Sequence, residues 1–443
     1  PYVDLIQSLR SSGSILKPIL YGKAIDRGLI HSSSFLRDVP INIDQFSPKN
    51  FDGEFEGVVP ADKALAKSLN VPATLLLKDY GVPSFLSDLK GLGFRNLSSS
   101  ANTYGLTLIL GGAEVRLVDL AEFYAFQAQL LNDPDHDFSL SFWGEKNLVE
   151  NRADYMSNGA WWLVTGALQE VERPGINMDW RSYSNSRKIA WKTGTSHGFR
   201  DAWAIGYDAD HLVAVWVGNA DGEGRPGLTG VSAAGPLLFN IFQFLPQNDW
   251  FEKPEYDLKN QVLCSASGYP ARAHCPKQEK EVPLTAEMQG YCEFHEKILM
   301  NSKGEQVFRG CTHGKVLDTT VLMLDPIASY YYRTKNKGSY TPIVLSEDCS
   351  KQVQNSLGIV YPARNARLII PKNFSGELEK VLFKAFHSDR SKTIYWHIDG
   401  QYVGATQGDH ELIIELSKGQ HKLLIIDELG NEDDLNFKVY IDK

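Results

Sequence analysis

The segment WKTGTSHGFRDAW, residues 191–203, combines a lysine, two threonines and a glycine with the start of an apolar strand. Lys192 and Gly194 alternate with Thr193 and Thr195, so in a strand the two hydroxyls share one face. Gly194 has no side chain and leaves room for a close approach to the backbone. The pattern predicts a strand that holds a carboxylate and an oxyanion beside a nucleophile. A lysine-bearing turn between two strands is the simpler alternative.

The residues around this segment predict an α+β domain. Three apolar runs, RKIAWKTGT, DAWAIGYDA and HLVAVWVGN, are typical of strands, and a tight turn at 208–210 joins the last two. Helices are predicted for ADKALAKSLN, EVRLVDLAEFYAFQAQLL, NGAWWLVTGALQEV and SAAGPLLFNIFQFL. We therefore expect an antiparallel sheet with helices over residues 1–246.

Two further polar motifs lie upstream of the lysine strand. Ser14 and Lys17 in SGSILKP are three residues apart, which lets the ammonium reach the hydroxyl if a helix begins there. A proline is tolerated only in the first turn of a helix, so Pro18 predicts that Ser14 lies at the helix N-terminus, where N–H groups favour negative charge. Ser68 and Asn70 form the second motif, where the helical run ADKALAKS ends before a break expected at Pro72.

Each serine motif has a decoy in the same chain. Ser87 and Lys90 repeat the S-x-x-K spacing, and Ser100 and Asn102 repeat S-x-N. Only Ser14 has both a preceding glycine and a proline directly after its lysine, and K-T-G occurs once. The context therefore favours Ser14 over Ser87 as the reactive serine.

The order S-x-x-K, S-x-N and K-T-G-T is the signature of penicillin-binding proteins and serine β-lactamases. The segments GSILKP, KSLNVPA, YGLTLILGGAEV and WKTGTSHGFRDAWAIGY closely resemble the transpeptidase domain of class A bifunctional penicillin-binding proteins of the 1C type. The resemblance covers residues 1 to about 246, and the later segments are similar to the C-terminal extension of that family. It implies a serine β-lactamase/transpeptidase-like fold and a peptidoglycan D,D-transpeptidase that β-lactams acylate.

The resemblance implies a role for each serine-motif residue. Ser14 is expected to attack the carbonyl of the penultimate D-Ala in a pentapeptide stem, with Lys17 as its base. Ser68 is expected to pass a proton to the leaving amine. Asn70 is expected to hydrogen-bond Lys17 and the substrate amide.

The lysine strand is expected to bind and polarise the substrate. Lys192 would act as the neighbouring cation that lowers the pKa of Lys17, and the run 193–195 would hold the substrate carboxylate. The N–H groups of Ser14 and Thr195 would form the oxyanion hole, in which one donor contributes about 3 kcal/mol of transition-state stabilisation. We expect no cofactor and no metal ion in this chemistry.

Charge and composition limit the partners. The 443 residues carry 45 basic and 54 acidic side chains, a net charge of −9, which argues against nucleic acid. No apolar run approaches the roughly 20 residues of a membrane span, so any signal or anchor is expected upstream of PYVDLIQSLR. The resemblance implies a periplasmic enzyme tethered to the inner membrane, whose family normally also carries a glycosyltransferase domain that is not among these residues. The expected substrates are the peptidoglycan stem peptide and acceptor strand, and the expected inhibitors are β-lactams. An α2-macroglobulin-like periplasmic protein is a candidate partner.

All five cysteines lie after residue 263, which predicts local disulfides in an oxidising compartment. Short loops favour bridges between Cys264 and Cys275 and between Cys292 and Cys311, with Cys349 left unpaired. Zinc binding by the segments CEFH and CTH is the alternative. Their spacings match no C-x₂-C pair, so bridges are preferred.

The chain is expected to have three parts. Residues 1–246 form the transpeptidase domain, 247–345 a cysteine-containing linker module, and 346–443 an immunoglobulin-like all-β domain. The last part contains about seven short strands separated by turn residues, the count of an immunoglobulin-like sandwich.

Two other functions remain open from the sequence. One is a β-lactamase-like hydrolase of the same fold, and the other is a non-catalytic scaffold whose β domain recruits a partner by strand addition. The family's fold places two strands ahead of the serine helix, whereas 13 residues precede Ser14 here. If these residues are the whole polypeptide, we expect a central sheet of about three strands with an open edge. Acylation should then be slower than in a chain that includes the upstream strands, unless a nicked segment or another chain supplies them.

Overall fold

The structure, a computed structural model, describes residues 4–43, 46–134, 139–142, 145–148, 156–174, 187–247, 249–308, 314–338, 340–346, 349, 357–371, 378–387 and 389–441. The chain divides into two compact units, each with its own hydrophobic core. The first unit comprises Pro1–Arg37 and Val59–Cys292, and the second comprises Asp38–Val58 and Glu293–Lys443. The division after Cys292 lies inside the 247–345 segment, and the three-part organisation stays a prediction.

The first unit surrounds one buried helix. Nine of the ten residues of α1 are buried, and Pro18 lies in its first turn, where the missing N–H costs no hydrogen bond. No helix in the described part of the chain is long and apolar enough to cross a bilayer. The helices of this unit are α1 (Lys17–Asp26), α2 (Ala61–Ala66), α3 (Asn70–Tyr80), α4 (Val82–Gly91), α5 (Ala101–Tyr104), α6 (Leu117–Asn132), α7 (Asn158–Gln169) and α8 (Gly235–Phe244).

Strands up to residue 283 form one main sheet and four two-stranded pairs. The strands are β1 (Arg10–Ser11), β2 (Phe35–Asp38), β3 (Gly57–Pro60), β4 (Glu114–Val115), β5 (Ser139–Phe142), β6 (Glu145–Leu148), β7 (Ala190–Thr195), β8 (Asp201–Tyr207), β9 (Leu212–Gly218), β10 (Leu258–Cys264) and β11 (Lys277–Pro283). The main sheet has the order β7-β8-β9, all antiparallel, as expected for a sheet of about three strands. The pairs are β1 with β4, β2 with β3, β5 with β6, and β10 with β11.

The main sheet is packed between helices, which explains the apolar run of its central strand. Every residue of β8 is buried, so both faces of the strand are covered. Trp161 of α7 is fully buried, and its ring lies 6.1 Å from the ring of Tyr207 on β8. Trp161 is therefore a core residue.

The chain between α2 and α3 departs from the sequence-based prediction. The pattern predicts a helix through Ser68 with a break at Pro72. The structure ends α2 at Ala66, gives Ser68 a left-handed φ of +57°, and begins α3 at Asn70. Pro72 lies in the first turn of α3, where a proline is compatible with the helix, so it does not break it.

The longer elements in the described part of the second unit are a three-stranded sheet, a helix and an eight-stranded β domain. All seven strands predicted after residue 346 are present, together with an eighth, β15, which the sequence pattern did not reveal. The elements are β12 (His295–Met300), β13 (Gln306–Val307), β14 (Leu317–Leu322), α9 (Pro326–Lys335), β15 (Leu357–Tyr361), β16 (Arg367–Ile370), β17 (Val381–His387), β18 (Ile394–Ile398), β19 (Gln401–Thr406), β20 (Glu411–Ile414), β21 (Gly419–Asp427) and β22 (Glu432–Ile441).

The β domain has two sheets that share one core. Their strand orders are β15-β17-β20 and β16-β22-β21-β18-β19. Phe383 of the first sheet and Trp396, Leu423 and Phe437 of the second are buried in one cluster. β16 runs parallel to β22, and the other described pairs are antiparallel. Immunoglobulin-like topology stays a prediction.

The predicted disulfide pattern is wrong. Cys264, Cys275 and Cys292 carry no disulfide bond, which excludes the bridges from Cys264 to Cys275 and from Cys292 to Cys311. Cys349, which the sequence leaves unpaired, is disulfide-bonded. Cys311 itself lies outside the described residues. The sulfurs of Cys264, Cys275 and Cys292 lie within 4.8 Å of one another without a bond between them, so closeness does not imply a bridge here.

Candidate active site

Ser14 lies in a tight turn directly before α1. The Ile15 N–H donates to the Ser12 carbonyl at 3.2 Å, and the Lys17 N–H donates to the Ser14 carbonyl at 3.3 Å. Gly13 adopts a φ of +53°, which favours glycine and reverses the chain. The predicted helix therefore begins at Lys17, and Ser14 lies just outside it. Ser14 is half-buried, whereas Lys17 is fully buried.

The serine turn is held by side chains that the sequence motifs do not include. The Trp203 indole N–H donates to the Ser11 carbonyl at 2.8 Å, and the Tyr124 hydroxyl donates to the Ile15 carbonyl at 3.1 Å. The Ser11 hydroxyl donates to the Gly111 carbonyl at 2.7 Å. The double glycine in YGLTLILGGAEV was the only sequence signal for this support.

Lys17 is bound to the second serine motif. Its Nζ donates to the Asn70 Oδ1 at 2.7 Å and to the carbonyl oxygens of Ser68 at 2.7 Å and Leu69 at 3.0 Å. A protonated lysine has three donors and no acceptor, so these contacts suit the ammonium form. Lys17 must therefore give up a proton, and with it one of these contacts, before it can act as a base.

Lys192 contacts the same serine through a different atom. Its Nζ donates to the Ser68 Oγ at 2.8 Å and to the Thr193 carbonyl at 2.7 Å. Burial of Lys192 lowers the pKa of its amine to about 7. Ser68 thus links Lys17, through its carbonyl oxygen, to Lys192, through its hydroxyl. It makes both contacts from a left-handed backbone with a φ of +57°, a conformation that is strained for a residue other than glycine.

Strand β7 lies against the serine turn. A Cβ on Gly13 would lie 2.6 Å from the Thr195 carbonyl oxygen and 2.7 Å from its nitrogen. A Cβ on Gly194 would lie 2.9 Å from the Ser12 carbonyl oxygen. The room that the sequence predicts beside Gly194 is therefore filled by the serine turn, and the Thr195 amide lies next to the residue that precedes Ser14.

The two threonines of β7 share the partly exposed face that their alternation predicts. Thr193 and Thr195 are half-buried, and Lys192 and Gly194 between them are buried. The Thr195 Oγ1 accepts the Gly230 N–H at 3.0 Å. In that contact the hydroxyl oxygen is the acceptor, so the hydroxyl group can still donate its own proton to a carboxylate.

The decoy motifs lie on the surface. Ser87 and Lys90 are exposed residues of α4. Ser100 is exposed and caps α5 by accepting the Thr103 N–H at 3.2 Å, and Asn102 is exposed on the same helix. Each decoy is thus an ordinary part of a surface helix.

Two models of known protein families match this chain. A model of the penicillin-binding protein transpeptidase domain matches residues 2–243, more than half of the chain. The chain belongs to the penicillin-binding protein transpeptidase family. A second model, the Penicillin-Binding Protein C-terminus Family, matches residues 346–437. The resemblance to penicillin-binding proteins of the 1C type is confirmed by these matches and by a relative of that type.

That relative is penicillin-binding protein 1C of Escherichia coli (strain K12), which is 27% identical over 97% of this chain and 56% of its own length. Penicillin-binding protein 1A of Neisseria gonorrhoeae is 24% identical over 64% of this chain and 40% of its own length. The chain thus spans about half the length of the curated relatives it matches. The crystal structure of penicillin-binding protein 1A from Haemophilus influenzae shares the fold, with a TM-score of 0.50 and 20% identity over 64% of this chain and 49% of that one.

Proposed function

We propose that this chain is a serine-type peptidoglycan D,D-transpeptidase that cross-links stem peptides through a seryl acyl-enzyme and is acylated by β-lactams. The observation that carries the proposal is the meeting of three distant motifs. Lys17, next to the Ser14 turn, binds Asn70, Lys192 binds Ser68, and Gly13 packs on Thr195. No two of these segments are neighbours in the sequence, and the decoys of the same spacing remain apart on the surface.

In the acylation step, the Ser14 Oγ forms a bond to the carbonyl carbon of the penultimate D-Ala. Its proton passes to Lys17, and the negative charge on the carbonyl oxygen is stabilised by the N–H groups of Ser14 and Thr195. The bond to the terminal D-Ala breaks, and Ser68 passes to its nitrogen the proton that Lys17 received from Ser14, so that Lys17 and Ser68 return to their starting states. The site is then an ester of Ser14 with the stem peptide.

In the second step, an acceptor amine attacks the same carbonyl. Its proton returns through the same groups, the ester bond to Ser14 breaks, and the new amide is the cross-link. Asn70 supports both steps because its carboxamide oxygen holds Lys17 at 2.7 Å. No metal ion or cofactor enters either step.

The β7 strand supplies recognition. Substrate and β-lactam each carry a carboxylate, which Thr193 and Thr195 meet with hydroxyls and Lys192 with positive charge. Gly194 is needed in the strand because the serine turn approaches within contact distance of it. The half-buried positions of Thr193 and Thr195 on β7 support their part in this proposal.

Family membership also guides where the enzyme works. We infer a periplasmic location, with peptidoglycan stem peptide and acceptor strand as substrates and with an upstream anchor in the full-length protein. The β domain, matched by the penicillin-binding protein C-terminus model, is the candidate surface for an α2-macroglobulin-like partner. A pull-down with a Ser14→Ala chain would separate such binding from catalysis.

The proposal is tested by supplying a stem pentapeptide donor and an amine acceptor and following products by mass spectrometry. The native chain should release D-Ala and form the cross-linked peptide. Ser14→Ala should do neither, while the matched decoy variant Ser87→Ala should keep native rates. Hydrolysed donor without cross-linked product would instead indicate a hydrolase, and activity in Ser14→Ala would overturn the assignment of the nucleophile.

A further inference from the structure

The first unit contains a cluster of three buried cysteines far along the chain from the active-site motifs. Cys264, Cys275 and Cys292 are each at most 6% exposed. Their Sγ atoms lie within 4.8 Å of one another, and none of the three carries a disulfide bond. We propose that these three thiolates hold a structural zinc ion.

The sulfur spacing suits a metal. Zinc bound by thiolates at about 2.3 Å in a tetrahedron sets its ligand sulfurs about 3.8 Å apart. A disulfide joins two sulfurs at about 2.05 Å and leaves a third without a role. Three mutually close sulfurs are therefore explained by one metal ion and not by one bridge.

Backbone contacts hold the three cysteines in place. The Cys264 N–H donates to the Tyr269 carbonyl at 2.7 Å, which closes a tight loop after β10. The Cys292 N–H donates to the carbonyl of Pro270 in that loop at 2.9 Å. Cys292 is thus fixed to the hairpin that carries Cys264 and Cys275, although it lies 17 residues beyond Cys275 in the sequence.

The surroundings of Cys264 favour a thiolate. The Ser267 side chain and the backbone N–H groups of Ser267 and Ala266 hydrogen-bond to its sulfur. Backbone donors to a sulfur stabilise negative charge. Binding zinc would release the remaining thiol protons to solvent.

The local core supports a structural role for the ion. Between residues 258 and 292 the buried apolar side chains other than the cysteines are Leu263, Val282, Ala286 and the prolines Pro270 and Pro283. So few apolar groups bury little surface, and small modules of this kind commonly depend on a metal or a bridge. A zinc ion would connect both ends of the loop to the segment at Cys292.

The fourth ligand is inferred from sequence. His295 follows Cys292 with the C-x₂-H spacing and carries an imidazole, a ligand that accompanies three thiolates in structural zinc sites. The set Cys₃His is closed and leaves no position for a substrate, so the site would be structural. The inference is independent of the proposed transpeptidase activity.

The test is the metal content of the 443-residue chain, purified with a phosphine reductant and without chelator, then dialysed against zinc chloride and desalted. We expect about one zinc per chain by inductively coupled plasma mass spectrometry. Cobalt substitution should give sulfur-to-cobalt charge transfer and the intense d–d bands of a tetrahedral site. A chelator should lower the melting temperature and expose three thiols to alkylation. Absence of bound zinc after reconstitution, or a disulfide joining two of the three cysteines, would overturn the proposal.

Substitutions test which side chains bind the zinc ion. Cys275→Ser should lose zinc and the cobalt charge-transfer band, while the matched control His274→Ala, one residue away, should keep about one zinc per chain. His295→Ala should bind zinc more weakly in a competition titration with a chromogenic chelator. Zinc retained at native affinity in Cys275→Ser would overturn the thiolate site, and native affinity in His295→Ala would overturn the fourth ligand.

Discussion

Ser68 joins the two lysines of the active site, because its carbonyl oxygen accepts from Lys17 and its hydroxyl accepts from Lys192. In the proposed mechanism the two lysines have different tasks although they share a neighbour. Lys17, next to the Ser14 turn, would serve as base. Lys192, on β7, would attract the carboxylate. Substitutions should separate these tasks.

At the residue scale, we expect Lys17→Ala to lower the rate of acylation by a fluorescent penicillin about 10²–10⁴-fold, because the base is removed. Asn70→Ala should cost about 10–100-fold, since it removes one hydrogen bond to a charged group worth about 1.5–3 kcal/mol. The second-order rate constants are measured by gel fluorescence. The exposed decoy variant Lys90→Ala is the control at the native rate, and a Lys17→Ala rate within tenfold of native would contradict the role of Lys17.

A second residue-scale prediction follows from the pKa of Lys192, which burial lowers to about 7. The ammonium that attracts a carboxylate is present below that pH and is lost above it. The ratio of acylation rates for a penicillin and its methyl ester should therefore fall as the pH rises from about 6 to 8. The pH dependence of a second-order rate constant reflects the pKa values of the free enzyme, so the midpoint of this fall should lie at the pKa of Lys192 before substrate binds.

Lys192→Ala is the control for this pH dependence. In this variant the ratio of the acylation rate with the penicillin to the rate with its methyl ester should be lower than in the native chain. The ratio should not change between pH 6 and 8, because the titrating charge is absent. A native ratio that does not change between pH 6 and 8 would show that Lys192 does not supply the charge that recognises the carboxylate.

At the scale of elements, the site depends on the contact between the serine turn and β7. Gly13 is in the left-handed region, and its backbone touches Thr195, whose amide is the second oxyanion donor in the proposed mechanism. A side chain at this position would push the turn away from the strand. Misplacement of reacting groups by about 1 Å can cost a hundredfold in rate.

We therefore expect Gly13→Ala to slow penicillin acylation by about 10²-fold or more. The control is Gly53→Ala, because Gly53 also has a positive φ, +74° against +53° for Gly13, and a Cβ there would meet nothing within 4 Å. Each variant places a side chain at a positive φ, at a cost of about 1–2 kcal/mol, so a large difference in rate reports the contact with Thr195. Equal rates in stopped-flow acylation would show that this contact does not position the site.

The helices and strands also show what could and could not be predicted from the sequence. Periodicity and alternation predicted α6, α7 and the strands β7, β8 and β9, because each buries a regular apolar pattern. They placed Ser14 at the N-terminus of a helix that in the structure begins at Lys17, and they placed a break at Pro72, since a proline in a first turn and a proline after a helix look alike in sequence. The support from Trp203 and Tyr124 could not be predicted, because single hydrogen bonds to a carbonyl leave no repeating pattern.

At the scale of the whole molecule, spacing along the chain singled out serine and lysine motifs that the fold brings together, whereas it misjudged the pairing of the cysteines. The serine motifs and K-T-G are recognisable because their chemistry requires fixed residue types. Cysteine pairing depends on the three-dimensional fold, which brings Cys292 to the hairpin of Cys264 and Cys275. The same fold leaves Ser87 exposed while Ser14 meets the other motifs.

The central claim is that Ser14 is the nucleophile of a transpeptidase. It is tested most directly by treating the native chain with benzylpenicillin, then locating the adduct by peptide mass spectrometry and following its lifetime on the intact protein. The account predicts one penicilloyl group per chain, on the peptide that contains Ser14, with a lifetime much longer than the acylation reaction. An adduct on the peptide that contains Ser87, or rapid release of hydrolysed penicillin with no adduct that persists, would contradict it.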